Sequence, residues 1–278
     1  MPVPPGKVSS MQLARGGAVR KYLRVAEISL TNRLAYLADH LVSSIFLILI
    51  LFIFSQLWKT VLGTEGQIAG LDSTRMLWYM VFTEVIALST PGTHSLVSEE
   101  VKSGDIAYKL VRPYSYILYY FSSHCGEYAV RFVTNLLVGS AFAYLAMGPL
   151  AVPWAKLGWV LLGLALAAAI NFLVSFSVAL LAFWLEENRP FFWILNKMLF
   201  IFGGLFIPVE AYPQGLRLVS YLLPLRYSIS GPALLVVNFD YAFLWQLLAG
   251  QLVWVLLLAA LVTAMFRKGV RRVHVHGG

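Results

Sequence analysis

Ser43-Ser44-Ile45-Phe46-Leu47-Ile48-Leu49-Ile50-Leu51-Phe52-Ile53-Phe54-Ser55-Gln56-Leu57-Trp58 contains no Asp, Glu, Lys or Arg. A helix needs about 20 such residues to cross a hydrocarbon core of roughly 30 Å, and with its flanks (38–58) this run supplies them. Comparable runs recur along the chain, so the sequence reads as a polytopic membrane protein. Lipid leaves backbone groups unsatisfied unless they pair internally, so the spans are helices or a closed barrel; a barrel would alternate apolar and polar residues, and this chain does not. Composition agrees. Of the 278 residues, 59% are hydrophobic and 12% charged, with mean hydropathy +0.75, against about 45–50% apolar and about 25% charged in soluble domains. The single cysteine, Cys125, excludes an internal disulfide.

Working outward from this run, residues 1–35 are expected to form a cytoplasmic tail followed by an interfacial helix. Val19, Leu23, Ile28 and Leu30 mingle there with Arg20, Lys21 and Arg24, as in a basic amphipathic helix on a membrane surface. A flexible basic arm is the alternative. The segment lacks the apolar core of a signal peptide, so no cleaved leader is expected. Beyond the first span, further spans are expected at about 74–96, 114–147, 157–184, 191–203 and 242–266. Glu84 lies near the middle of the second, and Pro91-Gly92 near its inner end. Gly148-Pro149, with Pro153, turns the chain outside, and Glu186-Glu187-Asn188-Arg189-Pro190 closes the fourth span. Residues 205–240 hold Pro208, Pro213, Pro224 and Pro232 in moderately apolar sequence. This suits short re-entrant helices covered by protein. Trp58, Trp78, Trp154, Trp159 and Trp184 fall near expected span ends, as in interfacial belts.

The stretch SEEVKSGDIAYKLVRPY (98–114) is markedly charged between two spans. Ser103-Gly104-Asp105 reads as a turn capping a short helix over 106–111, and Pro113 as the start of the next span. A solvated loop and a surface read by a cytoplasmic partner are both open on these residues. Six spans place both termini on one side. That side gathers roughly fifteen of the 21 Lys and Arg residues, which makes it cytoplasmic and the chain a multi-pass plasma (inner) membrane protein. The net charge of +8 therefore reflects topology and calls for no nucleic acid.

Intramembrane charges are expensive and need a partner or a function. Glu84 is expected to pair with Arg131 or Lys197, or else to serve a substrate or proton. Glu127 and Arg131 are placed i,i+4 to neutralise each other. Asn171 and Ser175 share one face of the fourth span, for bonding between helices or for lining a cavity. Nothing assembles into a catalytic or metal site. G-x-x-x-x-G-K-[ST] is absent, so the chain carries no P-loop, and there is no H-E-x-x-H or Cys/His metal spacing.

Three features together resemble the permease subunits of type-2 ATP-binding-cassette (ABC) exporters. They are the order of elements, the run VKSGDIAYKLVRP (101–113), and GGLFIPVEAYP (203–213) with LLPLRY (222–227). The resemblance implies one all-α transmembrane domain over 1–278, including a coupling segment (98–113), an outer re-entrant segment (205–240) and a cytoplasmic tail (267–278). It implies a partner of the same kind, either a second copy or a homologous permease, and two copies of a cytoplasmic ATPase that bind the ATP and Mg. This chain would hold no cofactor of its own and would contact membrane lipids. Carried over, Glu99, Glu100, Lys102, Asp105, Lys109 and Arg112 would face the ATPase or the bilayer edge. Pro208, Glu210, Pro213 and Pro224 would shape the outer gate. The implied function is export of an amphipathic or hydrophobic compound (drug-like molecule, lipid or glycan). The alternative is a proton-coupled secondary transporter using Glu84, for which the inverted repeats common in such folds are not evident.

Overall fold

A computed structural model describes residues 10–63, 66–151, 154–185 and 187–276. The start of the expected tail (1–9), Pro153 and Glu186 lie outside the described residues. The fold is helical. Four stretches are long and apolar enough to cross a membrane, namely Ser44–Leu62, Tyr116–Met147, Trp154–Phe183 and Tyr241–Arg272. They correspond to the expected first, third, fourth and sixth spans.

The other two expected spans are short helices. α1 (Ser10–Ala35) and α2 (Leu37–Leu62) precede α3 (Ser73–Leu88). Asp72 caps α3, its Oδ1 accepting from the Arg75 amide at 2.8 Å, and the Pro91-Gly92 break ends the apolar run eight residues before the expected 96. At 16 residues, α3 is about 24 Å long. Every residue from Met76 to Ile86 is buried, so α3 is a central post walled by α2, α6 (Tyr116–Met147) and α11 (Ser230–Val237). The counterpart of the fifth expected span, α8 (Arg189–Phe202), has 14 residues.

α6 has 32 residues, about 48 Å, well beyond a roughly 30 Å hydrocarbon core. α1 runs beside its first turns. The Lys21 Nζ donates to the Pro113 carbonyl at 2.8 Å, and the Ser115 amide donates to the Tyr22 hydroxyl at 2.8 Å. Gly126 permits this approach, because a Cβ there would sit 2.1 Å from the Ala26 carbonyl oxygen. The expected segment is therefore a helix, but its covered face, with Tyr22, Ala26, Ser29 and Leu30, meets α6 rather than lying alone. Val19, Leu23 and Ile28 are exposed beside the basic residues.

After α4 (Thr93–Ser103) and α5 (Ile106–Leu110) come α6 and then α7 (Leu157–Ala179), which a 3₁₀ turn, Leu180–Phe183, extends. Residues 205–240 form three short α-helices, one more than the simplest re-entrant pair: α9 (Gln214–Leu222), α10 (Pro224–Ser228) and α11. Proline suits a helix start because the first-turn N–H would lack a partner anyway. Pro213 immediately precedes α9 and Pro224 opens α10. α12 (Tyr241–His276) carries residues 267–276 of the expected tail as a continuation of the last span, and 277–278 lie outside the described residues.

Among the described residues the buried apolar side chains form two large bodies and a small third one of Ile86, Leu205 and Ile229 beside Glu84. One large body joins α2, α3, α11 and the start of α12, around Leu51, Tyr79 and Leu235. The other joins α4, α5, the start of α6, the end of α7 and α12, around Ile106, Tyr120, Phe176 and Val262. Trp58 and Trp78 belong to the first body, not to an interfacial belt. Their indole N–H groups donate to Met80 Sδ and to the Gly148 carbonyl, each at 3.1 Å.

Candidate functional site

The charged connection folds as a bent hairpin of helices. α4 ends at Gly104, whose φ of +82° is left-handed and favours glycine. Asp105 makes no helix cap. Its Oδ2 instead accepts from Ser103 Oγ at 2.9 Å. Ser115, not Pro113, opens the next span, its Oγ accepting from the Leu118 amide.

Two of the six charged residues expected to face outward are turned inward. The Glu100 Oε1 accepts from the Lys109 Nζ and from the Tyr120 hydroxyl, and its Oε2 accepts from the Tyr116 hydroxyl at 2.8 Å. The Lys109 Nζ also donates to the Tyr120 oxygen at 2.7 Å and lies 5.0 Å from that ring's centre. Burial among apolar groups strengthens such charge-assisted bonds and makes their loss expensive. This cluster clamps α4, α5 and α6 together.

Glu99, Lys102, Asp105 and Arg112 remain exposed. Beside them Tyr108 and Val111 stand 77% and 86% exposed, two large side chains on a rigid projection. The Lys102 Nζ reaches Glu187 Oε1 at 3.2 Å. The Arg189 backbone N–H, and after it Lys102, hold the Glu187 carboxyl below the ordinary carboxylate range. Asn188, not singled out by sequence, ties this region to α4. Its Nδ2 donates to Ser98 Oγ at 2.8 Å and lies 3.3 Å from the Val178 and Ala179 carbonyl oxygens.

Glu84, Asn171 and Ser175 line one cavity of about 450 Å³ between α2, α3, α7 and α8, walled by Phe46, Phe192, Phe200 and Phe206. Neither expected partner of Glu84 reaches it. Arg131 Nη2 lies 2.5 Å from Glu127 Oε1, fulfilling the i,i+4 pair, and Lys197 is exposed on the outer face of α8. Glu84 is 2% exposed. Its Oε1 and the Asn171 Nδ2 are buried without a hydrogen-bond partner among the described residues. Such orphaned groups are rare in folded proteins and mark places where something else is expected to bind. The buried amides of Asn135 and Gln251 are bonded through at least one atom, although the Gln251 Oε1 also lacks a partner among the described residues. The Asn135 Nδ2 donates to Ser89 Oγ at 3.2 Å, and the Gln251 Nε2 donates to the Gly163 and Tyr227 carbonyls, both at 2.9 Å. Sequence reading passed these over, although an amide within an apolar run was the available signal.

At the opposite end, Glu210 Oε1 pairs with Arg226 Nη2 at 2.8 Å, and the Arg226 guanidinium stacks 3.7 Å from the Tyr221 ring centre. α3 anchors the segment. The Tyr79 hydroxyl donates to the Gly204 carbonyl, and Thr83 Oγ1 donates to the Leu205 carbonyl at 2.7 Å. Gly204, at φ +72°, has no room for a Cβ, which would lie 2.8 Å from Val209 Cγ2. Pro208 and Pro213 flank the 3₁₀ turn carrying Glu210, and Pro224 opens the helix carrying Arg226. Among the described residues, no group of three His, Cys, Asp or Glu side chains is placed to hold a metal.

Apolar spanning helices, a charged projection at one end, an aromatic-walled cavity holding Glu84 and Asn171 within and a proline-shaped segment at the other end fit a membrane transport protein. The family model for the ABC-2 family transporter protein matches residues 44–277, and the chain belongs to that family. No curated protein matches it.

Proposed function

We propose that this chain is the permease subunit of an ATP-driven exporter, energised by a separate cytoplasmic ATPase seated on the projection from Asp105 to Arg112. The observation that carries this reading is the clamp at Glu100. It makes a stiff lever of a segment whose tip exposes Tyr108 and Val111 between Asp105 and Arg112. A transport-family chain without a P-loop needs an external engine, and exposed aromatic and aliphatic anchors ringed by charge suit a protein partner. Ile106, buried behind the tip, gives a push on α5 a route into the apolar body of α6, α7 and α12. ATP binding by the partner would drive transport only by favouring one permease conformation over another.

In this reading α3 and α8 join the four long helices as the second and fifth spans. α3 is sheathed by protein and continued past Pro91-Gly92 by α4. Residues 205–240 form a re-entrant outer gate fastened by Glu210–Arg226. Both termini are cytoplasmic, and the working unit holds two permeases, alike or homologous, with two ATPases. The cargo is an amphipathic or hydrophobic compound, consistent with the aromatic walls around Glu84. The test is co-isolation of the tagged chain with a P-loop ATPase whose ATP turnover rises with cargo. A purified chain that transports without such a partner would sink the proposal.

The unpartnered Glu84 favours one second reading, a proton-coupled carrier. Transport surviving ATP depletion but abolished by collapse of the proton gradient would select it.

A further inference from the structure

The cavity around Glu84 is not the only space beside α8. A polar pocket of about 300 Å³ lies between α4 and α8, lined by Ser95, Glu99, Lys102 and Arg189. His94, Phe192 and Asn196 line both spaces. Where the two meet, the His94 and Phe192 rings lie 4.1 Å apart at 31°. The His94 Nδ1 is buried without a hydrogen-bond partner among the described residues, so no bond at that nitrogen holds the ring in place.

We infer that the polar pocket and the Glu84 cavity are two chambers of one route, and that the tilted ring pair His94–Phe192 is the door between them. The door hangs on the coupling element itself. α4 carries His94 in its first turn and Lys102 in its last, and it runs from the Gly92 junction to the left-handed Gly104. Ser98, bonded to Asn188, and Glu100, clamped to α5 and α6, fix its far half. Because Asn188 immediately precedes α8, Ser98 is where α4 is tied to α8, and a displacement of the 105–112 tip therefore turns α4 about that bond and shears His94, one turn away, from Phe192. Glu99 and Lys102, expected to face the ATPase or the bilayer edge, also line the first chamber, where they would meet the polar end of an amphipathic ligand. Its apolar body would pass the aromatic door toward Phe200 and Phe206. The inference rests on the permease reading for the direction of passage, but not for the existence of the door.

The test uses the full chain in membrane vesicles of both orientations, with Cys125→Ser removing the native thiol. The probe is a membrane-impermeant methanethiosulfonate bearing a trimethylammonium group. Ser95→Cys reports the first chamber and identifies its side, and Ser175→Cys reports the second. From that side, Ser175→Cys should react at least about tenfold more slowly than Ser95→Cys. Phe192→Ala should raise its rate about tenfold, as when an open form is about a tenth populated. Thr90→Cys, on another wall of the cavity, repeats the measurement should Ser175→Cys fail to reach the membrane. Cavity cysteines that react as fast as Ser95→Cys at the outset, that ignore Phe192→Ala, or that react only from the opposite side would overturn the door. No ATPase or cargo enters the assay, so its outcome is separable from that of the exporter reading.

Discussion

Glu100 and Glu84 are two acids drawn away from water in the same chain, and they are treated in opposite ways. Glu100, its side chain 16% exposed, receives donors from Lys109, Tyr116 and Tyr120. Glu84, more deeply buried, has Oε1 facing a cavity with no donor among the described residues. A buried carboxylate with partners ties helices together, whereas one without them raises the free energy of the fold. The first arrangement makes structure; the second, in the proposed reading, makes a site. The contrast follows the two ends of the transport reading, where the lever must be rigid and the cavity must be left something to bind.

Removing each acid breaks the comparison most sharply. Glu100→Ala strands Lys109 and two tyrosine hydroxyls, so it should destabilise the protein by about 2–4 kcal/mol, read as a clear fall in melting temperature in detergent. Glu84→Leu removes an unpartnered carboxylate, so its melting temperature should hold or rise while transport falls. A loss matching that of Glu100→Ala would mean that Glu84 has a structural partner. The smallest effect belongs to the exposed pair. Lys102→Ala should leave the melting temperature unchanged, because solvent screens such a contact. With its carboxyl held low, Glu187 stays ionised to lower pH than an ordinary carboxylate. In Lys102→Ala it should protonate at higher pH, seen as carbodiimide labelling, which needs the protonated carboxyl, that persists to higher pH than in the parent.

The spans of α2, α6, α7 and α12 were legible because a long apolar run is a local signal that needs no tertiary knowledge. α3 was misjudged in length because the span was carried across the polar stretch 89–95 to the next apolar residue, Leu96. The apolar pattern does not register that Ser89-Thr90-Pro91-Gly92 breaks the helix, or that protein surrounds it. Glu100 could not be told from Glu99 by sequence. The distinction lies in Tyr116 and Tyr120, which come alongside only after the chain turns at Gly104 and again at Ser115. Glu127–Arg131 was readable because i,i+4 spacing fixes it within one helix. The pairing of Glu84 was not, since it depended on how three separate helices rotate. His94 escaped notice although a histidine just past Pro91-Gly92 was a signal to weigh. Its meaning came only from Phe192, nearly a hundred residues later on α8.

The central claim is that the tip from Asp105 to Arg112 is where an ATPase grips the chain. The most direct measurement is association of the P-loop ATPase with the Tyr108→Ala/Val111→Asp double variant, alongside its melting temperature and membrane insertion. Both side chains are exposed and outside the Glu100 clamp, so folding and insertion should match the wild type while ATPase association and ATP-driven transport are lost. A variant that inserts normally, binds the ATPase as tightly as the parent and transports at the parental rate would contradict the account.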